Sequence, residues 1–252
     1  AITLDLNGKT LTSELVSNGY AILFRAAVTI KNGTVKVKNA CAIGTVAAMT
    51  MDGVTVENGI IGGHATISLS GARSEYVIRN STINGAYSVA VFANNATVTI
   101  ENSKITGRGP ALYHNGSNYG LRLTVTDTTL TSAECSVYIS GSASMKDQAD
   151  NRNNADGYQQ ATFTRCTISG TNGIEVKYTN LTLNSCIISA TVKTPTYEQN
   201  NNGSTASGFA VVSTDNATGG TTPAPKGTIA VSGEGNYVGA IGIGTLVKNK
   251  YE

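Results

Sequence analysis

The sequence lacks several residues on which common functions depend. It contains no tryptophan, two histidines and four cysteines, and none of the cysteines has CxxC spacing, so a zinc site is not expected. Charged residues make up 13% of the chain and the formal net charge is +2, which gives no electrostatic basis for binding nucleic acid or an anionic membrane. The longest aliphatic runs extend over a few residues, so membrane insertion is not expected either.

The sequence is instead dominated by a repeat of eight positions. Val28–Val35 reads apolar, Thr, apolar, polar, Asn, small, Thr, apolar. The other copies are Leu4–Leu11, Met49–Val56, Tyr76–Ile83, Val98–Ile105, Leu123–Leu130, Ala161–Ile168, Leu181–Ile188 and a degenerate copy that begins near Ile229. Successive copies begin 20 to 27 residues apart, except for two steps of 38 and 48 residues. A short unit that recurs at such spacing is typical of a solenoid.

The alternation within each repeat predicts short β-strands. Positions 1 and 3 are apolar and are predicted to face the core, whereas the Thr at position 2 faces outward. Asn, Gly or Asp at position 5 supplies a turn, because these residues tolerate left-handed backbone angles. Further apolar stretches such as Val89–Phe92 follow in each repeat, and no helical period appears. We therefore predict an all-β chain, a single-stranded parallel β-helix of about nine coils. It forms one domain, 1–252, with loop insertions near 141–160 and 193–227.

Equivalent positions of neighbouring repeats are expected to stack. Position 4 carries charges of alternating sign in four successive repeats: Lys31, Asp52, Arg79 and Glu101. Position 5 carries, in four successive repeats, Asn80, Asn102, Asp127 and Arg165. This order predicts a ladder of amides and an ion pair between Asp127 and Arg165. Cys166 and Cys186 share position 6, and we interpret both as buried free thiols, because their parallel Cβ vectors disfavour a disulfide.

The repeats resemble those of a known superfamily. Leu4–Thr10 (LDLNGKT) and Val28–Gly33 (VTIKNG) are similar to repeats of right-handed β-helix proteins of the pectin-lyase-like superfamily, many of them secreted or surface proteins of bacteria. The resemblance covers nearly the whole chain and implies a right-handed β-helix in a bacterial protein that is secreted or at the cell surface. The superfamily includes polysaccharide lyases, glycoside hydrolases, phage tailspikes and adhesins, so the fold alone does not decide the function.

The two insertions carry most of the candidate functional residues. In solenoids such insertions lie on one face and often bind ligands. The residues assigned to ligand binding are Asp150, Arg152, Tyr158, Glu175, Lys177, Tyr197 and Glu198. The insertions are expected to wall a cleft whose floor includes Arg165, Glu175 and Lys177, and tyrosines such as Tyr113 and Tyr158 offer ring faces to a sugar. His114 could serve as an acid–base group, but we interpret it as a polar turn residue.

Calcium is the one cofactor that the sequence suggests. Asp147, Asp150 and Asp156 in the first insertion could gather around this hard cation, which takes carboxylate oxygens. Their spacing matches no EF-hand loop. We therefore expect no obligatory cofactor.

The first functional hypothesis is a non-catalytic surface module for adhesion or glycan binding. The low charge and the uniform Thr and Asn ladders favour it. Its partner would be a polysaccharide or a host or cell-surface glycan. The chain begins inside a repeat, so further domains on the N-terminal side are expected.

Two other functions compete with this hypothesis. A polysaccharide lyase acting on uronate-containing glycans would use Arg165, Asp127 and Lys146 as candidate catalytic residues, but positions 2 and 4 supply no carboxylate cluster. An ice-binding surface is the third alternative. Such surfaces carry two outward Thr on each strand, whereas position 2 supplies only one.

Overall fold

The computed structural model describes residues 2–58, 65–71, 73–85, 89–116, 122–141, 158–197, 206–214, 227–244, 246–247 and 250–251. All regular secondary structure in these ranges is β-strand, and 23 of the strands form one large sheet. All strand pairs within this sheet are parallel, as the all-β parallel prediction requires. Among the described residues there is no helix of a length and apolarity that would cross a membrane.

The strands of the large sheet stack in three columns, which we name A, B and C. Column A contains β1 (Ile2–Asp5), β3 (Val28–Thr45), β4 (Met49–Asn58), β6 (Glu75–Arg79), β9 (Thr97–Glu101), β12 (Arg122–Thr126), β15 (Gln159–Thr164), β18 (Thr179–Asn184) and β23 (Ile229–Ser232). Column B contains β2 (Thr10–Phe24), parts of β3 and β4, β7 (Thr82–Gly85), β10 (Lys104–Gly107), β13 (Thr129–Ser132), β16 (Thr167–Gly170), β19 (Ile187–Ala190) and β24 (Asn236–Val238).

Column C completes each repeat. It contains the ends of β2 and β3, then β5 (Ala65–Leu69), β8 (Val89–Asn94), β11 (Leu112–Gly116), β14 (Val137–Gly141), β17 (Ile174–Lys177), β22 (Phe209–Thr214) and β25 (Ala240–Gly244). The chain visits A, B and C in turn and returns to A, which is consistent with a β-solenoid. Two small antiparallel pairs lie outside the columns, β20 (Thr196–Tyr197) with β21 (Ala206–Ser207), and β26 (Leu246–Val247) with β27 (Lys250–Tyr251).

The interior follows the predicted alternation. The residues at position 3 form a continuous buried row in column A: Ile30, Met51, Ile78, Ile100, Val125, Phe163 and Leu183, each 0% exposed. Each such side chain contributes roughly 1.5–3 kcal/mol by its removal from water. The predicted core register is therefore confirmed from Ile30 to Leu183. The first copy is offset by two residues, because Leu4 and not Leu6 pairs with Ile30.

Position 5 makes the turn from column A to column B with left-handed backbone angles. A positive φ occurs there in every repeat, at Gly8, Asn32, Gly53, Asn80, Asn102, Asp127, Arg165, Ser185 and Gly233. The side-chain amide of Asn102 donates to that of Asn80 over 2.8 Å, and the amide of Asn80 donates to Asp52 over 2.8 Å. The predicted amide hydrogen bond between Asn80 and Asn102 is therefore present, and the row continues to the carboxylate of Asp52.

Position 6 carries small polar side chains that connect neighbouring repeats. The hydroxyl of Ser103 accepts from the backbone N–H of Ser81 over 3.2 Å and donates to the carbonyl of Glu101 over 2.7 Å. Cys166 and Cys186 continue this row, and their thiols donate to backbone carbonyls at 3.4 to 3.5 Å. All four cysteines of the chain are buried and free, as predicted for this pair.

Candidate ligand-binding face

The outward side of column C differs from the Thr-rich sides of the other two columns. Val91 and Ala93 of β8 and Leu112 and His114 of β11 point into the core, so the residues between and after them point outward. The first outward row is Ser68, Phe92, Tyr113, Tyr138, Glu175 and Val212, in register from strand to strand. The second row, two residues further along each strand, is Ser70, Asn94, Asn115, Ser140, Lys177 and Thr214. We name these two rows the C face.

Three aromatic rings occupy successive strands of the C face. The ring centroids of Phe92 and Tyr113 lie 5.3 Å apart with an interplanar angle of 71°, and those of Tyr113 and Tyr138 lie 5.1 Å apart at 43°. Phe92 and Tyr113 are half-buried, whereas Tyr138 is buried. Burial raises the pKa of the Tyr113 phenol, and burial together with the charge of Glu175 raises the pKa of Tyr138 well above its ordinary value. Both phenols therefore remain protonated hydrogen-bond donors at neutral pH.

Two polar groups of β11 have no hydrogen-bond partner among the described residues. These groups are the hydroxyl of Tyr113 and the side-chain amide of Asn115, and both residues are half-buried. One strand away, the carbonyl oxygen of the Asn94 side chain accepts from the amide of Asn95 over 2.9 Å. Half-buried polar groups such as these are hydrogen-bonded by water until a ligand replaces it. The Tyr113 hydroxyl and the Asn115 amide can therefore bind an external ligand without breaking a bond within the described residues.

Glu175 and Lys177 form a buried charged pair at the end of the C face. The Lys177 Nζ lies 3.9 Å from the Glu175 Oε1 and 5.9 Å from the centroid of the Tyr138 ring. Glu175 also accepts from the Thr214 hydroxyl over 3.2 Å and from the backbone N–H of Ala206 over 3.4 Å. Both side chains are almost completely buried, so each charge is compensated by the other and by surrounding protein groups.

Two predicted tyrosines lie near this pair. The ring of Tyr158 packs on that of Tyr178, which follows Lys177 directly, with 4.7 Å between the centroids. Tyr197 pairs with Ala206 between β20 and β21, and Ala206 is the residue whose N–H contacts Glu175. The structure thus brings Tyr158, Tyr197, Glu175 and Lys177 to neighbouring strand ends. Their role in ligand binding stays a prediction.

Arg165 and Asp127 lie elsewhere, at the turn from column A to column B. Two nitrogens of the Arg165 guanidinium contact the two carboxylate oxygens of Asp127, both at 2.7 Å. The predicted ion pair is confirmed. Because Arg165 precedes column B and Glu175 lies in column C, the structure does not place Arg165 on the same face as Glu175 and Lys177.

The remaining predicted site residues lie outside the described ranges. They are Lys146, Asp147, Asp150, Arg152, Asp156 and Glu198. Within the described ranges, no group of three or more His, Cys, Asp or Glu side chains is arranged to hold a metal ion. The calcium hypothesis therefore stays a prediction about residues that the structure does not describe.

The interpretation of His114 as a polar turn residue is wrong. His114 lies within β11, is 0% exposed and faces the core between Ala93 and Ile139 of the adjacent strands. It alternates with Tyr113, so the same strand that exposes the tyrosine must bury the histidine. Burial lowers the pKa of His114 to about 3, which keeps the imidazole neutral.

Phe92, Asn94 and Asn115 are not among the ligand-binding residues predicted from the sequence. A signal for them does exist in the sequence, because Phe92-Ala93-Asn94 and Tyr113-His114-Asn115 both read aromatic, any residue, Asn. The register places these two triplets side by side.

Comparison of the chain with family models, with curated proteins and with solved structures gives no match.

Proposed function

We propose that this chain is a non-catalytic glycan-binding module of a bacterial secreted or cell-surface protein, and that its binding site is the C face. For the fold we propose the finer description of a right-handed parallel β-helix of about nine coils, as in the pectin-lyase-like superfamily. The three columns and the 20-to-27-residue spacing of most repeats support this description.

The observation that carries the functional proposal is the unpartnered polar pair of β11 beside the aromatic row. Sugars present apolar C–H faces and hydroxyl groups, and binding sites for them combine ring surfaces with a few placed polar groups. Phe92 and Tyr113 supply the rings. Within the described residues, the Tyr113 hydroxyl and the Asn115 amide have donors and acceptors left for sugar hydroxyls.

The described residues favour binding over lyase chemistry. A lyase needs a cation that neutralises the uronate carboxylate and a base that removes a proton. The guanidinium of Arg165 is held in a two-bond ion pair with Asp127, and Lys177 is buried against Glu175. No observation on the described part of the chain supports a second function more strongly than glycan binding.

The column A surface is a poor fit to an ice-binding plane. The outward Thr row includes Thr50 and Thr99, but the repeat that lies between them carries Val77 at this position. The neighbouring row carries charges, with Arg79 next to Glu101. A flat and uncharged Thr array would lack both features.

Binding to a panel of plant, host and microbial glycans tests the proposed function. We expect at least one glycan to bind, with no formation of unsaturated uronate detected by ultraviolet absorbance. Tyr113→Ala and Asn115→Ala should each weaken binding by about 5- to 30-fold, because one hydrogen bond or ring contact is worth roughly 1–2 kcal/mol. The matched control is Thr131→Ala, on the outward side of column B.

Folding has to be monitored in the same variants. Tyr113→Phe removes only the hydroxyl and keeps the ring contacts with Phe92 and Tyr138, so its thermal transition should match that of the unmodified protein. If glycan binding persists unchanged in both Tyr113→Ala and Asn115→Ala, the C face is not the site.

A further inference from the structure

We infer that the ligand of the C face is a neutral glycan, one that carries neither uronate carboxylates nor sulfate groups. This inference rests on the proposed function and narrows it, because the resemblance to lyases would suggest a polyuronate. It follows from the balance of charge on the face and from the type of polar group that the face leaves unpaired.

The C face carries no net charge. Of its twelve residues only Glu175 and Lys177 ionise at neutral pH, and they have opposite signs and lie 3.9 Å apart. The Lys177 ammonium also lies over the ring of Tyr138. A polyuronate repeats a negative charge along its length, and each charge that loses water on binding needs a cationic partner. The C face has no cation beyond the one that Glu175 already neutralises.

The groups that remain for a ligand are neutral donors and acceptors. Asn115 offers an amide, and Tyr113 offers a hydroxyl whose raised pKa keeps it protonated. Ser68 and Ser70, on β5 and just after it, hydrogen-bond to each other over 3.0 Å. Amides and hydroxyls match sugar hydroxyls, whereas carboxylate recognition typically uses arginine in a two-bond geometry.

Three cationic side chains beside the turn from column A to column B are neutralised by ion pairs. Arg79 contacts Asp52 at 3.0 Å and Arg165 contacts Asp127 at 2.7 Å, both beside the turn from column A to column B. Lys31 contacts Asp5 at 3.1 Å in the same region. These ion pairs lie on a different edge from the C face, so they add no positive charge to the C face.

The test compares neutral and anionic polysaccharides on the whole chain. Affinity electrophoresis or calorimetry would use a neutral glucan, mannan, xylan and galactan, with polygalacturonate and alginate as the anionic probes. We expect a neutral polymer to bind, with an affinity that changes less than about twofold as salt shortens the Debye length from about 10 Å to about 3 Å. Neither anionic polymer should bind through the C face.

The outcomes separate this inference from the proposed function. If polygalacturonate or alginate binds, loses affinity in Asn115→Ala and keeps it in Thr131→Ala, the C face takes an anionic glycan and the inference is overturned while the proposed function stands. If none of the neutral or anionic polymers binds, and the wider glycan panel is also negative, both fail. Binding of a neutral polymer that is lost in Asn115→Ala but kept in Thr131→Ala supports both.

Discussion

The Arg165 guanidinium and the Asp127 carboxylate are joined by two hydrogen bonds of 2.7 Å, although 38 residues separate them in the sequence. Both residues occupy position 5 of their repeats and share the left-handed backbone of that turn, with φ of 51° and 50°. The hydrogen bonds from Arg165, strengthened by its charge, lower the pKa of Asp127. A lowered carboxyl pKa in the folded state adds stability above the unfolded pKa, and this stability is lost as the pH falls through the folded pKa.

Replacement of Arg165 with Gln should therefore raise the pKa of Asp127 toward its ordinary value of 3.8. Nuclear magnetic resonance titration of the carboxyl carbon measures this directly. The control is Arg79→Gln, which removes the ion pair of Asp52 and should leave the Asp127 titration unchanged. An Asp127 midpoint that is the same with and without Arg165 would contradict the assignment.

The buried pair of Glu175 and Lys177 should show strong coupling in stability. Glu175→Ala leaves the Lys177 ammonium buried without its carboxylate and should lower the free energy of unfolding by about 3–5 kcal/mol. The double variant Glu175→Leu, Lys177→Met removes both charges and should be less destabilised than Glu175→Ala. Urea unfolding of the three proteins measures the difference, and a double variant that is the least stable would show that the pair does not act as a unit.

His114 should make the protein sensitive to acid. Its folded pKa of about 3 lies below the ordinary 6.5, so the unfolded chain binds the extra proton first as the pH falls. Stability is then complete above pH 6.5 and decreases toward pH 3, by up to about 1.4 kcal/mol per pH unit. Unfolding of His114→Leu, measured across this range, should show a shallower decline than the unmodified protein. Thr131→Ala should follow the unmodified protein, and an equally steep decline in His114→Leu would rule out this origin.

The column A core should be intolerant of truncation. Ile100 is completely buried between Ile78 and Val125 of the adjacent strands. Ile100→Ala should lower the free energy of unfolding by about 2–5 kcal/mol, through lost burial and the cavity that remains. Its neighbour Thr99 points outward, and Thr99→Ala should change stability by no more than about 0.5 kcal/mol. Equal effects of the two substitutions in chemical denaturation would show that the register is wrong.

Much of the fold could be predicted because each repeat combines alternating apolar residues with a recognisable turn residue. Ile30 and Met51 are apolar at position 3, and Asn32 and Gly53 tolerate the turn conformation at position 5, so two independent signals give the same register. Column C has no comparable turn signal. Its strands are short and mix polar with apolar residues, which is why a residue such as His114 could be assigned to the wrong side.

The candidate site was less predictable, because burial depends on chain segments that are distant in sequence. Stacking at position 5 was enough to predict the contact between Asp127 and Arg165. The surroundings of Glu175 depend on Ala206, 31 residues later, and on Thr214, 39 residues later. No local pattern around Glu175 reports those contacts, and the sequence alone could not show that this carboxylate is buried.

The regular turn from column A to column B is a useful feature for protein design. The φ angle at position 5 stays between 50° and 53° at Asn80, Asp127, Arg165 and Ser185, although their side chains differ. Strands in a sheet are about 4.8 Å apart, so the position-5 residues of neighbouring repeats are evenly spaced along this edge. Chemical groups introduced at position 5 of successive repeats would form an array of known spacing, and the buried row of column A would not need to be redesigned.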